Sequence, residues 1–362
     1  MNASAFLLKM PINEKRLIGN FVRCYIGYST DKYVRWISSS GGAVTSILTF
    51  MMEEELIDGA LVVKMEGLRP KQFIARRPKD LILAAGSKYL PIQSSFKLKE
   101  LMDSKGKYAI VGLPCYIRAI RNLMARSEKL RKHVTLLLGL FCCRSISPTG
   151  FKVLLHKLRV NEEEIEEFRF RGHGWPGRLH ISLKDGRKIS LPYFDYWRPL
   201  YSPYFFTPKA CMFCSDMTNE KADISFGDAW LPKIIRKDVL GSSMIISRSE
   251  EADKILQEAQ RKGFLKLASI SEKEVIKAQW RSLFFKKTTL PARLLLAKRR
   301  NYASAPGGFF KVACALIQLM NIRISESHLG THIIERLPFA FLQFYAVLHA
   351  VIEYFSWRYI TR

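Results

Sequence analysis

Four cysteines stand at positions typical of metal ligands. Cys211 and Cys214 form a Cys-x-x-Cys pair, a spacing at which one turn of backbone can hold a single metal centre from two sides. Cys115 and Cys142 each follow a predicted strand and precede a predicted helix, which places both at strand carboxyl ends, where open α/β sheets bind ligands. Four thiolates satisfy either a [4Fe-4S] cluster or tetrahedral zinc, and the spacing alone leaves both open.

The other three cysteines are weaker candidates. Cys143 directly follows Cys142, and adjacent residues of an extended segment point in opposite directions, so only one of them easily faces the site. We expect Cys142 to be the ligand. Cys24 and Cys314 are expected to be small buried apolar residues. In a reducing compartment the thiols are free or metal-bound rather than paired in disulfides.

Two glycine-containing turns could bind a phosphorylated cofactor. Ser39, Ser40, Gly41 and Gly42 stand at the start of a predicted helix, where free amides favour phosphate and glycine lets the backbone approach closely. An ordinary serine cap with a glycine turn is the alternative. The second turn consists of Gly86, Ser87, Lys88 and Tyr89. Its lysine could contact a phosphate and its tyrosine could stack on a ring, although a solvated turn explains the same residues.

Two carboxylates bracket a predicted strand directly after the Cys-x-x-Cys pair. Asp223 and Asp228 could orient a ligand or act in acid/base chemistry, or they could be a cap and a turn residue. Arg169, Arg171 and Trp175 could form a wall for an aromatic ligand or plain surface structure.

The elements that must position these residues alternate between strand and helix. Apolar runs at 60–63, 108–111 and 134–141 predict buried strands, and the last is so continuously apolar that it should be covered on both sides. Ser147 and Pro148 predict a helix start, with the helix running to about Val160. Alternation at 179–191 around Asp185 and Gly186 predicts a β-hairpin. The expected fold is α/β, a mixed sheet flanked by helices with a hairpin insertion.

The composition points to a folded, basic protein. The chain has 362 residues with 48% hydrophobic residues, and its 58 Lys and Arg against 32 Asp and Glu give a net charge of +26. Such an excess calls for an anionic partner. Residues 5–8 form too short an apolar run for a signal peptide, so we expect a cytoplasmic protein.

The C-terminal part is the most basic. Residues 275–325 contain no Asp or Glu. Residues 337–357 are aromatic and mostly apolar but are interrupted by Gln343, His349 and Glu353, which argues against a simple transmembrane span. An apolar helix beside basic residues suits an anionic membrane surface on the inner face, while a core helix under a solvated basic face is the alternative. We expect three parts: residues 1–100, 101–249 and a basic helical extension over 250–362.

Seven segments in series resemble the beta-subunit family of coenzyme F-420 hydrogenases and dehydrogenases, which are deazaflavin-linked flavoproteins. The resemblance spans most of residues 18–247. Its carriers are SSGGAVTSIL at 39–48, EELIDGALVV at 54–63, AAGSKYLP at 84–91, VGLPCYIRAIRNL at 111–123, GLFCCRSISP at 139–148, FRFRGHGWPG at 168–177 and CMFCSDMTNEKADISFGDAW at 211–230.

The resemblance implies a bound FAD and one [4Fe-4S] cluster. The family's cluster cysteines fall on Cys115, Cys142, Cys211 and Cys214. The flavin turns fall on residues 39–42 and 86–89, and we include Asp228 among the cofactor-binding residues. This chain lacks the ferredoxin-like cysteine run of many members, so it is expected to take electrons from an external one-electron donor such as a ferredoxin.

The expected activity is an oxidoreductase that couples one-electron transfer to hydride transfer at a deazaflavin or another organic substrate. The relatives that lack the ferredoxin run point to surface polysaccharide biosynthesis near a membrane. The alternative is a non-enzymatic, zinc-stabilised module that binds a partner protein or an anionic surface. No recognised nucleic-acid motif with stacking aromatics is present, so nucleic acid is not an expected partner.

Overall fold

A computed structural model describes residues 14–92, 96–298 and 308–361 of the chain. These residues form a mixed eight-stranded sheet flanked by helices, a three-stranded antiparallel sheet and a helical C-terminal region. The predicted α/β class is therefore confirmed. The expected apolar run at 5–8 and two of the basic residues, Arg299 and Arg300, lie outside the described residues.

The larger sheet has the strand order β11-β1-β10-β9-β5-β4-β2-β3, and β6-β7-β8 form the smaller one. The strands are β1 (Arg23–Ser29), β2 (Gly59–Glu66), β3 (Arg69–Ala75), β4 (Tyr108–Gly112), β5 (Val134–Leu140), β6 (Ile165–Arg169), β7 (Arg178–Leu183), β8 (Lys188–Pro192), β9 (Ile224–Asp228), β10 (Ser243–Ser247) and β11 (Leu265–Ile270). Strands β2, β4, β5 and β9 are parallel neighbours. Strand β10 is antiparallel to both β9 and β1, so β1 runs in the same direction as β9. The carboxyl ends of five strands therefore meet at one edge.

Helices cover both faces of the larger sheet and form the C-terminal region. They are α1 (Glu14–Ile18), α2 (Lys32–Ile37), α3 (Ala43–Glu53), α4 (Phe96–Asp103), α5 (Pro114–Met124), α6 (Glu128–His133), α7 (Pro148–Lys157), α8 (Tyr193–Leu200), α9 (Lys209–Met212), α10 (Pro232–Ile235), α11 (Glu250–Arg261), α12 (Glu272–Leu283), α13 (Leu290–Leu296), α14 (Phe309–Glu326), α15 (His328–Arg336) and α16 (Phe339–Thr361). Two 3-10 helices occupy Pro78–Ala84 and Glu162–Glu164. A π-helical turn, Phe284–Thr288, joins α12 to α13.

The central strand β5 is buried on both faces, as its apolar run predicts. Leu136 and Leu138 pack with Ile47 and Phe226 on one face of the sheet. Leu137 packs with Ile110 on the other face. Successive side chains of a strand point to opposite faces, so an uninterrupted apolar run serves two cores at once.

Several predicted elements are confirmed with shifted ends. The predicted strands correspond to β2, β4 and β5, and the hairpin is β7–β8. Helix α7 starts as expected, with the Ser147 side chain accepting from the Gly150 amide (3.3 Å), but it ends at Lys157 instead of Val160. Strands β1, β3, β6 and β11 have no counterpart among the predictions.

The C-terminal region is built into the rest of the molecule. Strand β11, from the segment expected to be a helical extension, pairs with β1 at the edge of the sheet. Val275, Phe284 and Cys314 lie in one hydrophobic cluster with Met244 and Ile246 of β10. The division of the chain at residues 100 and 249 stays a prediction, and the core contacts run across both points.

Candidate cofactor site

Two cysteines lie where the central parallel strands end. Strands β4 and β5 are paired with Gly112 opposite Gly139, so their carboxyl ends stand side by side. Cys115 is the second residue of α5, whose first position is Pro114, and Cys142 follows β5 by two residues. A helix N-terminus favours negative charge on a group placed there. Both cysteines therefore lie at the sheet edge where the sequence pattern places them.

The Cys-x-x-Cys pair is held against the same edge by backbone contacts. The Cys142 amide donates to the carbonyl of Met217, just beyond the pair (2.9 Å). The Ser145 backbone lies near enough to Cys211 to oppose part of the rise that burial causes in the pKa of its thiol. Between the two cysteines, the carbonyl of Met212 accepts from Arg293 Nε (3.2 Å). These contacts join the loop after β5 to the loop that carries Cys211 and Cys214.

The thiols interact electrostatically with one another. Burial raises the pKa of the Cys142 thiol, and Cys211, Cys143 and Cys115 raise it further. Burial also raises the pKa of Cys211, with added contributions from Cys214 and Cys115. Among the described residues, the four predicted ligands therefore converge on one place although they come from three separate stretches of the chain. The raised pKa values mean that the Cys142 and Cys211 thiols resist ionisation unless a cation compensates the charge.

Cys143 faces a different environment from Cys142. Arg144 Nη1 lies 3.4 Å from the Cys143 sulfur. The Arg144 guanidinium also covers the ring of Tyr204, 4.6 Å from its centroid. Cys143 packs at the side of the cluster that contains Tyr204 and Phe285. This arrangement supports Cys142 as the fourth ligand, as the alternation of an extended segment predicts.

Among the described residues, the four thiols supply the donor atoms of a metal centre but are not arranged around a single ion. Within the described parts of the chain, no three His, Cys, Asp or Glu side chains are arranged to hold a single metal ion. Four sulfurs bound at about 2.3 Å to one zinc stand only about 3.8 Å apart. A four-iron cube separates its ligand sulfurs further, because each sulfur binds a different iron. Four thiolates match the donor set of a [4Fe-4S] cluster in number and chemistry.

A buried lysine faces the cysteines. Lys286, in the π-helical turn, is 1% exposed. Burial alone would lower its pKa, but Cys142, Cys214, Cys143 and Cys211 outweigh that effect and raise it. Arg293 connects this turn to the cysteine loop, because Nη2 donates to the carbonyl of Phe285 (2.6 Å) while Nε binds Met212. The site thus contains one positive charge that sequence reasoning missed.

The two predicted cofactor turns lie against each other. The Ser87 amide donates to Ser39 Oγ (2.7 Å). Ser40 Oγ donates to the carbonyl of Ser242 (2.9 Å), and the Gly41 amide donates to Ser243 Oγ (3.1 Å). Both turns therefore belong to one surface beside the start of β10, at the edge where the cysteines lie.

Glycine is required at two of these positions. A Cβ on Gly41 would stand 2.7 Å from the carbonyl oxygen of Gly27 and 2.8 Å from the Ser243 nitrogen, both rigid backbone atoms. Gly42 precedes α3 with a φ of 73°. The helix N-terminus at Ala43 is thereby brought against β1 and β10, with its first amides turned toward the sheet edge.

Lys88 is half-buried, and its ammonium group lies against the backbone of its own turn. Its Nζ donates to the carbonyls of Ala85 (3.1 Å) and Gly86 (2.9 Å), and also to that of Ala84. Burial, with the nearby Arg169 charge, lowers the pKa of Lys88 to about 7. A lysine with a pKa near neutrality gains its proton readily when an anion approaches.

The second turn contacts the loop after β5. The Ile146 amide donates to the carbonyl of Tyr89 (2.8 Å), and the same loop contains Cys142, four residues earlier. The Tyr89 ring packs on Trp197, with centroids 4.4 Å apart. One short loop therefore joins the Gly86–Tyr89 turn to the cysteine set, which places the two predicted cofactor positions next to each other.

Asp228 is committed to a buried ion pair. Its carboxylate accepts from Arg171 Nη1 (2.9 Å) and Nη2 (3.1 Å) and from the indole of Trp175 (2.9 Å). Arg171 is 1% exposed and covers the Tyr193 ring at 4.4 Å. Asp228 thus lies at the sheet edge with the other candidate residues. Its carboxylate holds Arg171 and Trp175 in place beside neighbouring aromatic rings. Asp223 lies at the opposite end of β9, where it accepts from the Leu137 amide (2.8 Å) and pairs with Arg121.

An aromatic cleft of about 330 Å³ opens beside the rings near Asp228. Its lining includes Trp36, Trp175, Tyr193 and Phe194. His173 also lines the cleft, and its Nδ1 atom lies 2.5 Å from the Nε2 atom of His180. Burial lowers the pKa of His180 to about 4, so this ring is neutral at pH 7.

Two of these residues carry no usable sequence signal. Lys286 is one of ten basic residues between 275 and 325, and composition does not separate a buried lysine from a solvated one. Arg171 pairs with a residue 57 positions away. Its place in a predicted wall was the only indication of its role.

Comparisons with known proteins agree with the geometry. The family model described as coenzyme F420 hydrogenase/dehydrogenase, beta subunit N-term, matches residues 24–99, and the companion model for the C terminus of the same beta subunit matches residues 105–273. Together they cover more than half of the chain. The protein belongs to the coenzyme F420 hydrogenase/dehydrogenase beta subunit family, as its sequence motifs predict.

Two curated relatives are named for coenzyme F420. The coenzyme F420 hydrogenase subunit beta of Methanothermobacter thermautotrophicus is 26% identical over 264 residues, which are 71% of this chain and 87% of that one. The coenzyme F420-dependent sulfite reductase of Methanocaldococcus jannaschii is 28% identical over 253 residues, covering 66% of this chain and 37% of the reductase. A chain in the F420-reducing [NiFe] hydrogenase complex from Methanosarcina barkeri has the same fold, with a TM-score of 0.60 at 21% identity over 79% of this chain and 96% of that chain.

Proposed function

We propose that the protein is an FAD- and [4Fe-4S]-dependent oxidoreductase. It couples one-electron transfer to hydride transfer at a deazaflavin or another organic substrate. The observation that carries the proposal is the convergence of Cys115, Cys142, Cys211 and Cys214 directly beside the Gly86–Tyr89 turn. The relatives named for F420-dependent hydrogenase and sulfite reductase activity support an F420-linked role.

Each cofactor has candidate residues. The four cysteines would hold the cluster, with Lys286 supplying a positive charge against its thiolates. Ser39, Ser40, Gly41 and Gly42 would receive the pyrophosphate of FAD at the N-terminus of α3, and residues 86–89 would contact it from the other side. Asp228 would act through Arg171 and Trp175, which it holds in place. A flavin exchanges electrons singly or in pairs, whereas a cluster exchanges them singly. The two cofactors together would therefore convert one-electron transfer into two-electron transfer.

The partners follow from this chemistry. A protein with one cluster needs an external one-electron donor, and we propose a ferredoxin or a comparable protein. The organic acceptor is a deazaflavin or, in surface polysaccharide biosynthesis, a precursor of similar redox chemistry. The aromatic cleft at Trp36 and Trp175 is the best candidate for its binding because it opens beside the residues that Asp228 holds in place. We place this chemistry in the cytoplasm.

Anaerobic purification and reconstitution test the proposal. We expect about four irons and one flavin per chain, with the absorbance of both groups, and bleaching of both when dithionite is added. Zinc without flavin would instead support the non-enzymatic module. Reductive titration in the presence of a deazaflavin then tests the substrate class, because electrons must appear in the deazaflavin in pairs.

A further inference from the structure

Helices α14 and α16 form an antiparallel pair whose polar residues face inward. Gln318 Nε2 donates to Glu353 Oε1 (2.8 Å), and the Tyr345 hydroxyl donates to Asn321 Oδ1 (2.6 Å). Further along the pair, Cys314 Sγ lies 3.2 Å from Ser356 Oγ. The contacts pair the start of α14 with the end of α16, so the helices run in opposite directions.

The buried charges of this pair are compensated. Glu353 is 0% exposed and accepts from Arg281 Nε (2.7 Å) as well as from Gln318. His349, on the preceding turn, is 3% exposed and lies 3.2 Å from Arg281 Nη2. The inner side of α16 is therefore fixed to α12 by an ion pair, and the helix cannot turn over without breaking it.

The outward side of the pair is apolar. On α16 a stripe at helical spacing is more than a third exposed at every position, and it consists of Phe341, Phe344, Leu348, Val351, Phe355 and Tyr359. On α14 the matching positions are Phe309, Leu316, Met320 and Ile324. By length and composition, Phe339–Tyr359 is also the single candidate membrane span among the described residues.

This arrangement is the reverse of an ordinary surface helix, which buries its apolar side and exposes its polar side. Polar residues that face the interior while apolar ones face outward are typical of helices in contact with lipid. A protein partner requires hydrogen bonds at intervals across its interface. Between Phe341 and Val351 the stripe on α16 offers no polar side chain, so hydrocarbon is the better match.

Positive and amphipathic side chains stand at the ends of the pair. Lys311 and Arg358 lie at one end, together with Tyr359, and Arg323 and Arg336 lie at the other. Glu326 and Glu335 offset part of the charge at the second end, while the whole chain carries +26. Arg and Tyr at the ends of an apolar stretch suit the headgroup region of a bilayer.

We propose that the outward side of α14 and α16 seats in the headgroup–acyl boundary of an anionic membrane. The opposite side of α16 packs on α8, α12 and α14, so the pair lies along the surface instead of crossing the bilayer. The proposal is independent of the cofactors, because these helices would bind lipid whether or not the redox site is loaded.

Flotation of the full-length protein tests it with two vesicle types, phosphatidylcholine alone and phosphatidylcholine with an equal part of phosphatidylglycerol. We expect the wild type to float with the anionic vesicles at low salt and Phe355→Glu to partition at least tenfold less. Leu83→Glu is the matched control, because Leu83 is an exposed leucine (59%) far from the pair in sequence, and it should float like the wild type.

Each other outcome overturns the proposal. The proposal is contradicted if the wild-type protein stays at the bottom of the gradient with anionic vesicles. It is also contradicted if Phe355→Glu floats as fully as the wild type. Equal binding to neutral vesicles removes the anionic requirement. If the wild type sediments as a dimer that Phe355→Glu dissociates, and neither floats, a second copy of the chain covers this face instead of lipid. Unchanged thermal unfolding of Phe355→Glu shows that loss of binding is not loss of fold.

Discussion

Cys142 and Cys143 are adjacent residues with different surroundings, and this difference can be tested. Cys142 interacts with Cys211 and Cys115, whereas Cys143 packs beside Arg144 and Tyr204. We expect Cys142→Ser to lose most of its iron after anaerobic reconstitution and Cys143→Ser to retain it. Iron analysis and visible absorbance check both variants. The reverse result would assign the fourth ligand to Cys143.

Lys286 should set the potential of the cluster. Its buried ammonium stabilises the more negative, reduced form, so Lys286→Met is expected to lower the midpoint potential by about 60 mV, a tenfold change for a one-electron couple. Lys286→Arg, which keeps the charge, should stay near the wild-type value. Potentiometric titration followed by electron paramagnetic resonance measures both.

Lys277→Met is the control for this prediction. Lys277 is an exposed residue of α12, and its replacement by Met removes the same unit charge as Lys286→Met. A shift in Lys286→Met no larger than that in Lys277→Met would show that the buried charge has no special effect on the cluster.

Lys88 gives the site a pH dependence. Its pKa of about 7 in the free protein means that the ammonium is already formed below pH 7 and is lost above it. A bound anion favours the ammonium, so FAD binding above pH 7 takes up a proton. We expect FAD affinity to be constant below pH 7 and to fall up to tenfold per pH unit above it.

Fluorescence titration with FAD from pH 6 to 9 measures this dependence. Lys88→Met should bind more weakly than the wild type at pH 6 and show a flat profile over the range. A flat profile in the wild type would mean that Lys88 does not contact the anionic part of the cofactor.

At the scale of single residues, the sequence indicated the cysteines and the glycine turns because each has a restricted chemical use. Asp228 was identified by position, but its carboxylate turned out to be held by Arg171 and Trp175. Lys286 was beyond prediction, since only the tertiary packing of the π-helical turn distinguishes it from solvated lysines nearby.

At the scale of elements, continuous apolar runs revealed the central strands β4 and β5, and alternation revealed the hairpin β7–β8. Strand β5 shows an unbroken apolar run because both faces are covered. Strand β3, with the sequence RPKQFIA, lies at an edge and has only two buried residues, so its charges and proline leave no clear apolar pattern. Strand β11 is the opposite edge and is similarly exposed.

The turn before α3 should be the least tolerant element of the site. Gly41→Ala would press a methyl group against the backbone of Gly27 and Ser243, which must shift. We expect a loss of about 2 kcal/mol in unfolding free energy, in the range of overpacked positions, together with weaker FAD binding.

Gly67→Ala is the comparison for Gly41→Ala. Nothing lies within 4 Å of a Cβ added at Gly67, and only its φ of 57° opposes the change. We therefore expect Gly67→Ala to lower the unfolding free energy by about 1 kcal/mol. Chemical denaturation of both variants gives the difference. Equal losses would mean that close approach at Gly41 does not constrain the turn.

At the scale of the whole molecule, the C-terminal region is part of the fold and not an appendage. A chain that ends at residue 273, where the family match ends, would remove Val275, Phe284 and Cys314 from the cluster beneath β10 and would also remove Lys286. We expect this truncation to be insoluble or molten and to bind no iron. Soluble expression and near-ultraviolet circular dichroism check the result, and a stable, iron-containing truncation would contradict it.

Strand β1 fixes the order in which the molecule can be assembled. It is made early but pairs on both sides with strands made more than two hundred residues later, since Arg23 lies opposite Ser247 and Ser29 opposite Leu265. Contacts of such long sequence separation form late and slowly. The sheet of the nascent chain on the ribosome is therefore incomplete, and under the proposed function a cluster would be inserted only after most of the polypeptide has been made.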